Sequence, residues 1–549
     1  MPIRMVDDPN DPQDNSGEDS GGGGGGGNWG GGGGGGGNGL FGLLPLLLGL
    51  FRGRSLIVVL ILLGGGYFLF GRGGCNNLIG GGGGGNGGNR PNSNQNLFTG
   101  GYLDPKQFEK ANIYESLDST KNPLPEATNL QRFAPGVGDQ GHQGSCVAWS
   151  SAYGARTIAE AARTGADPNS VKFSPSFLYN QIGLENCDGS YIERAMEFMT
   201  RSGSVPYSEF PYDDKDCTKQ PDQQLLNEAR NFKMRGFNRL TPGDRNNVID
   251  LHAIKENISQ GAPVVIGMQV GGTYMQDMMG KDVWDPTAED RSMIGFGGHA
   301  QCVVAYDDRK YGGAFLIMNS WGPQWGNHGF AWVRYPDFKH FVREAYGLEP
   351  MAKTGAAAGE PFACEIGLVQ VHYEGTKTIT DDYIPLQVKN GNIFETISPL
   401  KLGTRFKMEV KNSTECYVYV FGKETNGASY TLFPYPVADN PQKTKFSPFC
   451  GITGYRLFPK GKSMTPDSVG TRDQMAVVVS KQPLNWYALN NEISRNPQQD
   501  FGARLNAALA SQLVHNVQFK SSAKGNMQFT VSGGTDNSVV ATIVEISKH

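Results

Sequence analysis

The sequence has no long basic run: its 49 Lys and Arg are slightly outnumbered by 53 Asp and Glu, for a formal net charge of -4. A chain without a positive patch has little with which to neutralise phosphates, so no nucleic acid is expected as a partner. Histidine is scarce, with 8 in 549 residues. His372 and His515 stand isolated, without metal-ligand spacing to another His or Cys, and neither a metal nor a cofactor is expected. The chain also lacks an apolar stretch at its start. A cleaved signal peptide begins within the first few residues, whereas the first apolar run here begins at residue 40. Glycine, in contrast, is in excess at 77 residues, with much of the surplus in the first hundred positions. The chain's length calls for two or three domains.

Residues 1–20 are polar and acidic, and 21–39 are almost pure glycine around Asn28 and Trp29. Neither stretch has the apolar surface that folding needs, so 1–39 reads as a disordered tail. Two apolar runs follow, 40–51 and 55–70, separated by Arg52-Gly53-Arg54. The second is shorter than the roughly 20 residues of a membrane-spanning helix, but Gly71 and snorkelling Arg54 and Arg72 extend it. One membrane helix within 40–72 is expected. The first run, interrupted by Pro45, is compatible with an interfacial or re-entrant segment, or with one arm of a hairpin. Arg52 and Arg54 before the span, against Arg72 after it, favour a cytoplasmic N-terminus with the bulk of the protein outside. Cys75 follows Gly-Arg-Gly-Gly, which spoils the apolar stretch of a lipoprotein cleavage site. Residues 73–96 read as a Gly/Asn-rich tether, 97–128 as a lead-in, and folded sequence as starting near Leu97.

The chemistry concentrates in "GDQGHQGSCVAWSSAYGARTIAE", residues 138–160, where Cys146 opens a segment with Ala148, Ala152, Ala155 and Ala159 at helical spacing. Ser145 is a candidate N-cap. A thiol in the first turn of a helix feels the positive end of the macrodipole, which favours thiolate. Taken alone, Cys146 reads as well as a small buried cysteine at a helix start. An acyl-transfer site also needs a base and oxyanion donors. His142 lies close in sequence but sits in the turn before the helix. His299, in "GFGGHAQCVVAYDD", precedes a strand-like run that would hold it rigidly. Asn319 ends the apolar strand 314–318 just ahead of Ser320-Trp321-Gly322. An asparagine there can accept from the histidine ring and fix its tautomer, and Trp321 can roof the bond against water.

The blocks "QGHQGSCVAWS", "GGHAQCVVAY" and "NSWGPQWGNHGF" resemble the three signature blocks of papain-family cysteine peptidases, in the family's order and at about its spacing. The resemblance covers residues 129–346, some two-fifths of the chain. It implies Cys146 as nucleophile, His299 as base and then acid, Asn319 as orienter, and Gln140 as oxyanion donor beside the Cys146 backbone N–H. It also implies an α+β, two-lobed fold, one lobe helical and one β-barrel-like, with a peptide or protein substrate in the cleft between them. "GAPVVIGMQV" and "GKDVW" resemble the first strands of the β lobe. "NCDGSYIERA" resembles the family's cleft-lining tract, so the family's substrate contacts fall on Gly189 and Ser190, with Gly298 and Trp321 across the cleft. Val147 and Gln143 depart from the family, Gln143 standing where a disulfide cysteine is usual. Cys187 and Cys217 either pair with each other or are both free.

Residues 364–549 change texture to alternating strands, such as "CYVYVF", "MAVVVS" and "SVVATIVEI", with one helix from Asp500 through Leu505, Leu509 and Leu513. A mainly-β, sandwich-like domain is expected. It resembles an uncharacterised β-rich domain that recurs beside bacterial enzyme domains, and a binding or positioning role, with a possible protein partner, follows. Cys416 and Cys450 could bridge it in an oxidising compartment. The whole reads as a bacterial, single-pass, membrane-tethered cysteine peptidase whose catalytic domain faces the periplasm or the cell surface. The family's usual helical propeptide is longer than anything between Leu97 and Arg132, so latency is expected to rest on the C-terminal domain or a partner.

Overall fold

The computed structural model describes residues 2–9 and 97–549, apart from 98, 103–105, 107–109, 115–122, 242–248, 352–360, 376, 438–439, 452–454 and 533–537. Most of the expected tail, together with the membrane segment, Cys75 and the tether, therefore lies outside the described residues. Among the described residues no helix is long and apolar enough to cross a membrane.

The alanine-spaced segment forms the central helix of the first lobe. It begins as Cys146–Ala148, widens into a π-helical stretch, Trp149–Arg156, and closes as Thr157–Thr164, where Gly165 takes the left-handed conformation at φ 70°. Ala148, Ala152, Ala155 and Ala159 are all buried, as their spacing predicts. Ser145 does not cap this helix: its Oγ lies 2.6 Å from the Tyr212 hydroxyl instead. Around the central helix lie Pro175–Ile182, capped by Ser174, Ile192–Arg201 and Gln223–Ala229, capped by Asp222. A disulfide joins Cys187 to Cys217. Gln143 stands in for a further bridge through hydrogen bonds, its Nε2 donating to Asp213 O at 3.3 Å and its Oε1 accepting from Tyr212 at 3.2 Å.

The second lobe is an antiparallel sheet ordered Phe237–Arg239, Val342–Leu348, Val264–Val270, Gly297–Asp307, Ala314–Met318, Phe330–Arg334, with Ala127–Asn129 added to Gly297–Asp307. Val264–Val270 and Ala314–Met318 read as near-continuous apolar runs because both their faces are covered. The register sets His299 opposite Met268, with Asn319 just past the end of the neighbouring strand.

The C-terminal region is the expected two-sheet sandwich. One sheet centres on Phe362–Glu374 and Arg405–Asn412, the other on Arg472–Ser480, Cys416–Lys423 and Val539–Ser547. In Cys416–Lys423 the alternation has a second meaning. Cys416, Val418 and Val420 face the sandwich core, while Tyr417, Tyr419 and Phe421 join the apolar core that runs on from the two preceding lobes. Two helices cover that outer face, Trp486–Arg495 and Phe501–Leu509; the first was not foreseen, and the second ends before Leu513 although Asp500 caps it as expected. Cys416 and Cys450 are paired positions on adjacent strands and both are free thiols.

Residues 111–114 of the lead-in stitch the two regions together. Ile113 N donates to Lys445 O at 2.7 Å and Tyr114 N to Arg239 O at 2.9 Å. Nearby, Glu349 is buried between Tyr417, which donates to it, and Asn238 at 3.1 Å. Burial pushes the Glu349 carboxyl up despite these partners.

The expectation of disorder throughout 1–39 is corrected at its start. Ile3–Asp7 is an edge strand of the C-terminal sandwich, antiparallel to Lys462–Pro466. "IRMVDD" is too short to fold by itself, and it orders because a distant sheet supplies both its backbone partners and its apolar neighbours.

Candidate active site

Cys146 lies where the helical lobe meets the sheet, and Ala300 N donates to its Sγ at 3.4 Å. Ala300 directly follows His299, so the strand that positions this N–H also fixes the imidazole. His299 Nε2 lies 2.8 Å from Asn319 Oδ1, which also accepts from Ser320 N at 2.8 Å. That second bond orients the Asn319 amide with its oxygen toward the ring. Nε2 therefore carries the proton, and Nδ1, buried without a hydrogen-bond partner, is left with a free lone pair. Trp321 stacks on the ring at 4.3 Å between centroids and 17° between planes. It is the roof that the sequence suggests.

Gln140 joins the same group through the neighbouring Ser320. Gln140 N donates to Ser320 O at 2.8 Å, and Ser320 Oγ donates to Gln140 Oε1 at 2.7 Å. Its Nε2 donates to Gln143 O at 2.9 Å, so both ends of the amide are engaged. His142 lies apart on an exposed turn, where its backbone N–H faces Asp214.

The remaining expected residues come together in an unforeseen way. Residues 99–102 run along the cleft between the lobes and occupy it. Gly100 N and Gly101 N both donate to Gly298 O, at 3.3 and 3.0 Å; Ser190 N donates to Gly100 O at 2.9 Å and Tyr102 N to Ser190 O at 3.0 Å. Gly298 and Ser190, expected to bind substrate, thus bind the chain's own lead-in. The fit requires glycine. A Cβ on Gly100 would lie 2.2 Å from Gly144 O, and one on Gly189 2.3 Å from Gly100 O. Tyr102 anchors the end of the strap by donating to Asp188 at 2.8 Å. The Gly100-Gly101 pair was the available signal, but glycine abounds in this region of the sequence.

Burial dominates the electrostatics of the pair. Cys146 and His299 are completely buried. Burial pushes the Cys146 thiol up to about 12, although backbone donors such as Ala300 and Val147 pull it down, and burial lowers the His299 imidazole to about 4 against the bond to Asn319. The thiolate expected from the helix position does not form in this state: desolvation outweighs the macrodipole. Both groups are neutral, and the pair is at rest.

A thiol, an imidazole and an asparagine thus meet between a helical lobe and a β lobe. Residues 125–346 match the family model described as papain family cysteine protease. An uncharacterized peptidase C1-like protein of Acanthamoeba polyphaga mimivirus is 29% identical over 201 residues, covering 35% of this chain and 62% of its own length. Cathepsin K of Mus musculus is 27% identical over 214 residues, covering 38% of this chain and 59% of its own. The chain therefore spans about three-fifths of these curated relatives. Among solved structures, the cysteine protease xylellain of Xylella fastidiosa aligns at 23% identity and a TM-score of 0.37, over 44% of this chain and 92% of its own. The chain carries a papain-family cysteine protease domain, the class of hydrolase that its motifs announce.

Proposed function

We propose that the chain hydrolyses peptide bonds through Cys146, His299, Asn319 and Gln140. The observation that carries this reading is the hydrogen-bonded line from Asn319 to His299 Nε2, with Nδ1 free and the Cys146 thiol, on the facing helix, accepting from Ala300 N one residue along the His299 strand. His299 Nδ1 takes the thiol proton as Sγ attacks the scissile carbonyl carbon. The oxyanion takes the Cys146 backbone N–H and the Gln140 Nε2, which exchanges Gln143 O for the developing charge. His299 then returns the proton to the leaving amine, and water resolves the thioester by the reverse path. Asn319 keeps the imidazolium oriented throughout.

A substrate backbone needs the hydrogen bonds of Ser190 and Gly298, which residues 99–102 hold, so turnover requires the strap to leave. Latency thus rests on residues 99–102 of the lead-in, and neither on a long helical propeptide nor on the C-terminal domain or partner expected from the sequence. The apolar runs within 40–72 attach the enzyme to a membrane, with the protease on the periplasmic or cell-surface side of a bacterial cell. The β sandwich positions it and offers a face to a protein partner. The test is to label the full chain with a peptide-like thiol-directed inhibitor, map the adduct, and follow peptide turnover with and without amine acceptors. An adduct on Cys146 with hydrolytic turnover supports the reading; an adduct elsewhere, or product formed only with an amine, overturns it.

A further inference from the structure

Residues 2–8 are built into the C-terminal sandwich. Ile3 to Asp7 pair with Pro466 to Lys462 in unbroken antiparallel register. Ile3 is fully buried in the sandwich core, and both its backbone groups bond the Tyr430 hydroxyl at 2.9 Å. Pro2 O accepts from Asp467 N at 2.6 Å, and Asp8 N donates to Gly461 O at 2.9 Å, so the strand is tied down at both ends. Asp8 then turns inward. Its carboxylate lies 2.6 Å from Lys407 Nζ, both side chains being 2% exposed, and accepts from Ser463 at 2.6 Å, Tyr373 at 2.7 Å and Thr378 at 3.2 Å. Burial pushes this carboxyl up, but the Lys407, Ser463 and Tyr373 hydrogen bonds together hold it below the usual range.

A loosely attached tail does not bury a carboxylate in a prepared four-donor socket. Moving charge out of water is costly, and it persists only where the partners are fixed in advance. The strand also covers an edge of the sheet that would otherwise present its N–H and C=O groups to another chain.

We infer that residues 2–8 are an integral strand of the chain's own C-terminal sandwich, so that the amino terminus and the protease domain share one side of the membrane entered by the apolar runs. Residues 10–96 connect the strand to the protease covalently, and linkage of this kind gives the strand an effective concentration near millimolar, ahead of a second copy at ordinary abundance. The topological consequence is strict. A segment whose two ends lie on one side crosses a bilayer an even number of times. An odd number of crossings is thereby excluded, and with it the single crossing expected from the second run. This inference deepens the location proposed above but does not depend on the enzymatic reading.

The test uses the full-length chain in membranes, with Arg4→Cys and Thr465→Cys introduced at directly paired positions. Mild oxidation should give a cross-link within one chain, visible as a mobility shift that reductant reverses and absent from either single variant. No cross-link, or one found only between chains when the two single variants are mixed, overturns the inference. A second pair, Pro9→Cys and Val469→Cys, reads the side. A membrane-impermeant maleimide should treat both alike in intact cells, labelling both or neither, and both after lysis. One labelled while the other needs lysis overturns the shared side whatever the protease activity.

Discussion

Two short stretches from the front of the chain complete two different parts of the folded unit, and they are held by opposite means. Residues 99–102 lie in the protease cleft through backbone hydrogen bonds, with glycines chosen for closeness and one exposed tyrosine as anchor. Residues 3–8 lie on the sandwich with a buried isoleucine and a buried ion pair. Backbone bonds of the first kind are replaced one for one by water or by a substrate, so each is worth only about 1 kcal/mol net. Burying Ile3 contributes roughly 2–3 kcal/mol, and the Asp8 socket is costly to break. One segment is made for release and the other for retention.

The largest effect tests whether the strap covers a working site at all. Cys146→Ala should lower peptide turnover by ~10⁴-fold or more, because loss of the nucleophile leaves only binding and the oxyanion donors. Turnover near the parent rate would make the cleft and its strap irrelevant to catalysis. The next tests retention. Asp8→Ala removes the carboxylate from a buried ammonium and should cost about 3–5 kcal/mol, seen as a lower denaturation midpoint of the full chain. A midpoint shift equivalent to under 1 kcal/mol would place residues 3–8 in the same easily released class as the strap.

The meeting of Cys146, His299 and Asn319 was legible because the proposed chemistry depends on side chains at fixed spacings: a cysteine at a helix start, a histidine opening a strand, an asparagine closing the next one. The two added segments were not legible, for different physical reasons. The strap works through main-chain groups, so its only trace is Gly100-Gly101 in a region already rich in glycine. The N-terminal strand alternates weakly, and its partners lie more than 450 positions away, where nothing local announces them. The C-terminal strands were read correctly as strands but with one buried face, since Tyr417, Tyr419 and Phe421 show their apolar purpose only once the protease and two helices cover them.

Release can be forced sterically. Gly100→Val places a Cβ within 2.2 Å of Gly144 O, a backbone atom that cannot yield, so the strap should be expelled without touching the catalytic group. Initial rates on a peptide substrate should rise about tenfold, since apparent affinity scales with the open fraction. An unchanged or lower rate in a variant of parental thermal stability would mean that the strap does not limit access.

Acid should do reversibly what the valine does permanently, and by a smaller margin. In the closed form His299 stays neutral down to about pH 4, because burial disfavours the imidazolium. Once the strap leaves, water reaches the ring and its affinity for a proton returns toward the ordinary value near pH 6.5. Between those two values the open form binds more protons than the closed one, so lowering the pH favours opening, by at most about tenfold per pH unit. Thiol-labelling rates of Cys146, taken as the ratio of Gly100→Val to parent, cancel the intrinsic pH dependence of the thiol. That ratio should fall from pH 7 to pH 4.5, and Tyr102→Phe, which removes the exposed bond to Asp188, should lower it further at every pH. A flat ratio would mean that the imidazole feels the same environment with and without the strap, and one that grew in acid would make the closed form the better proton binder.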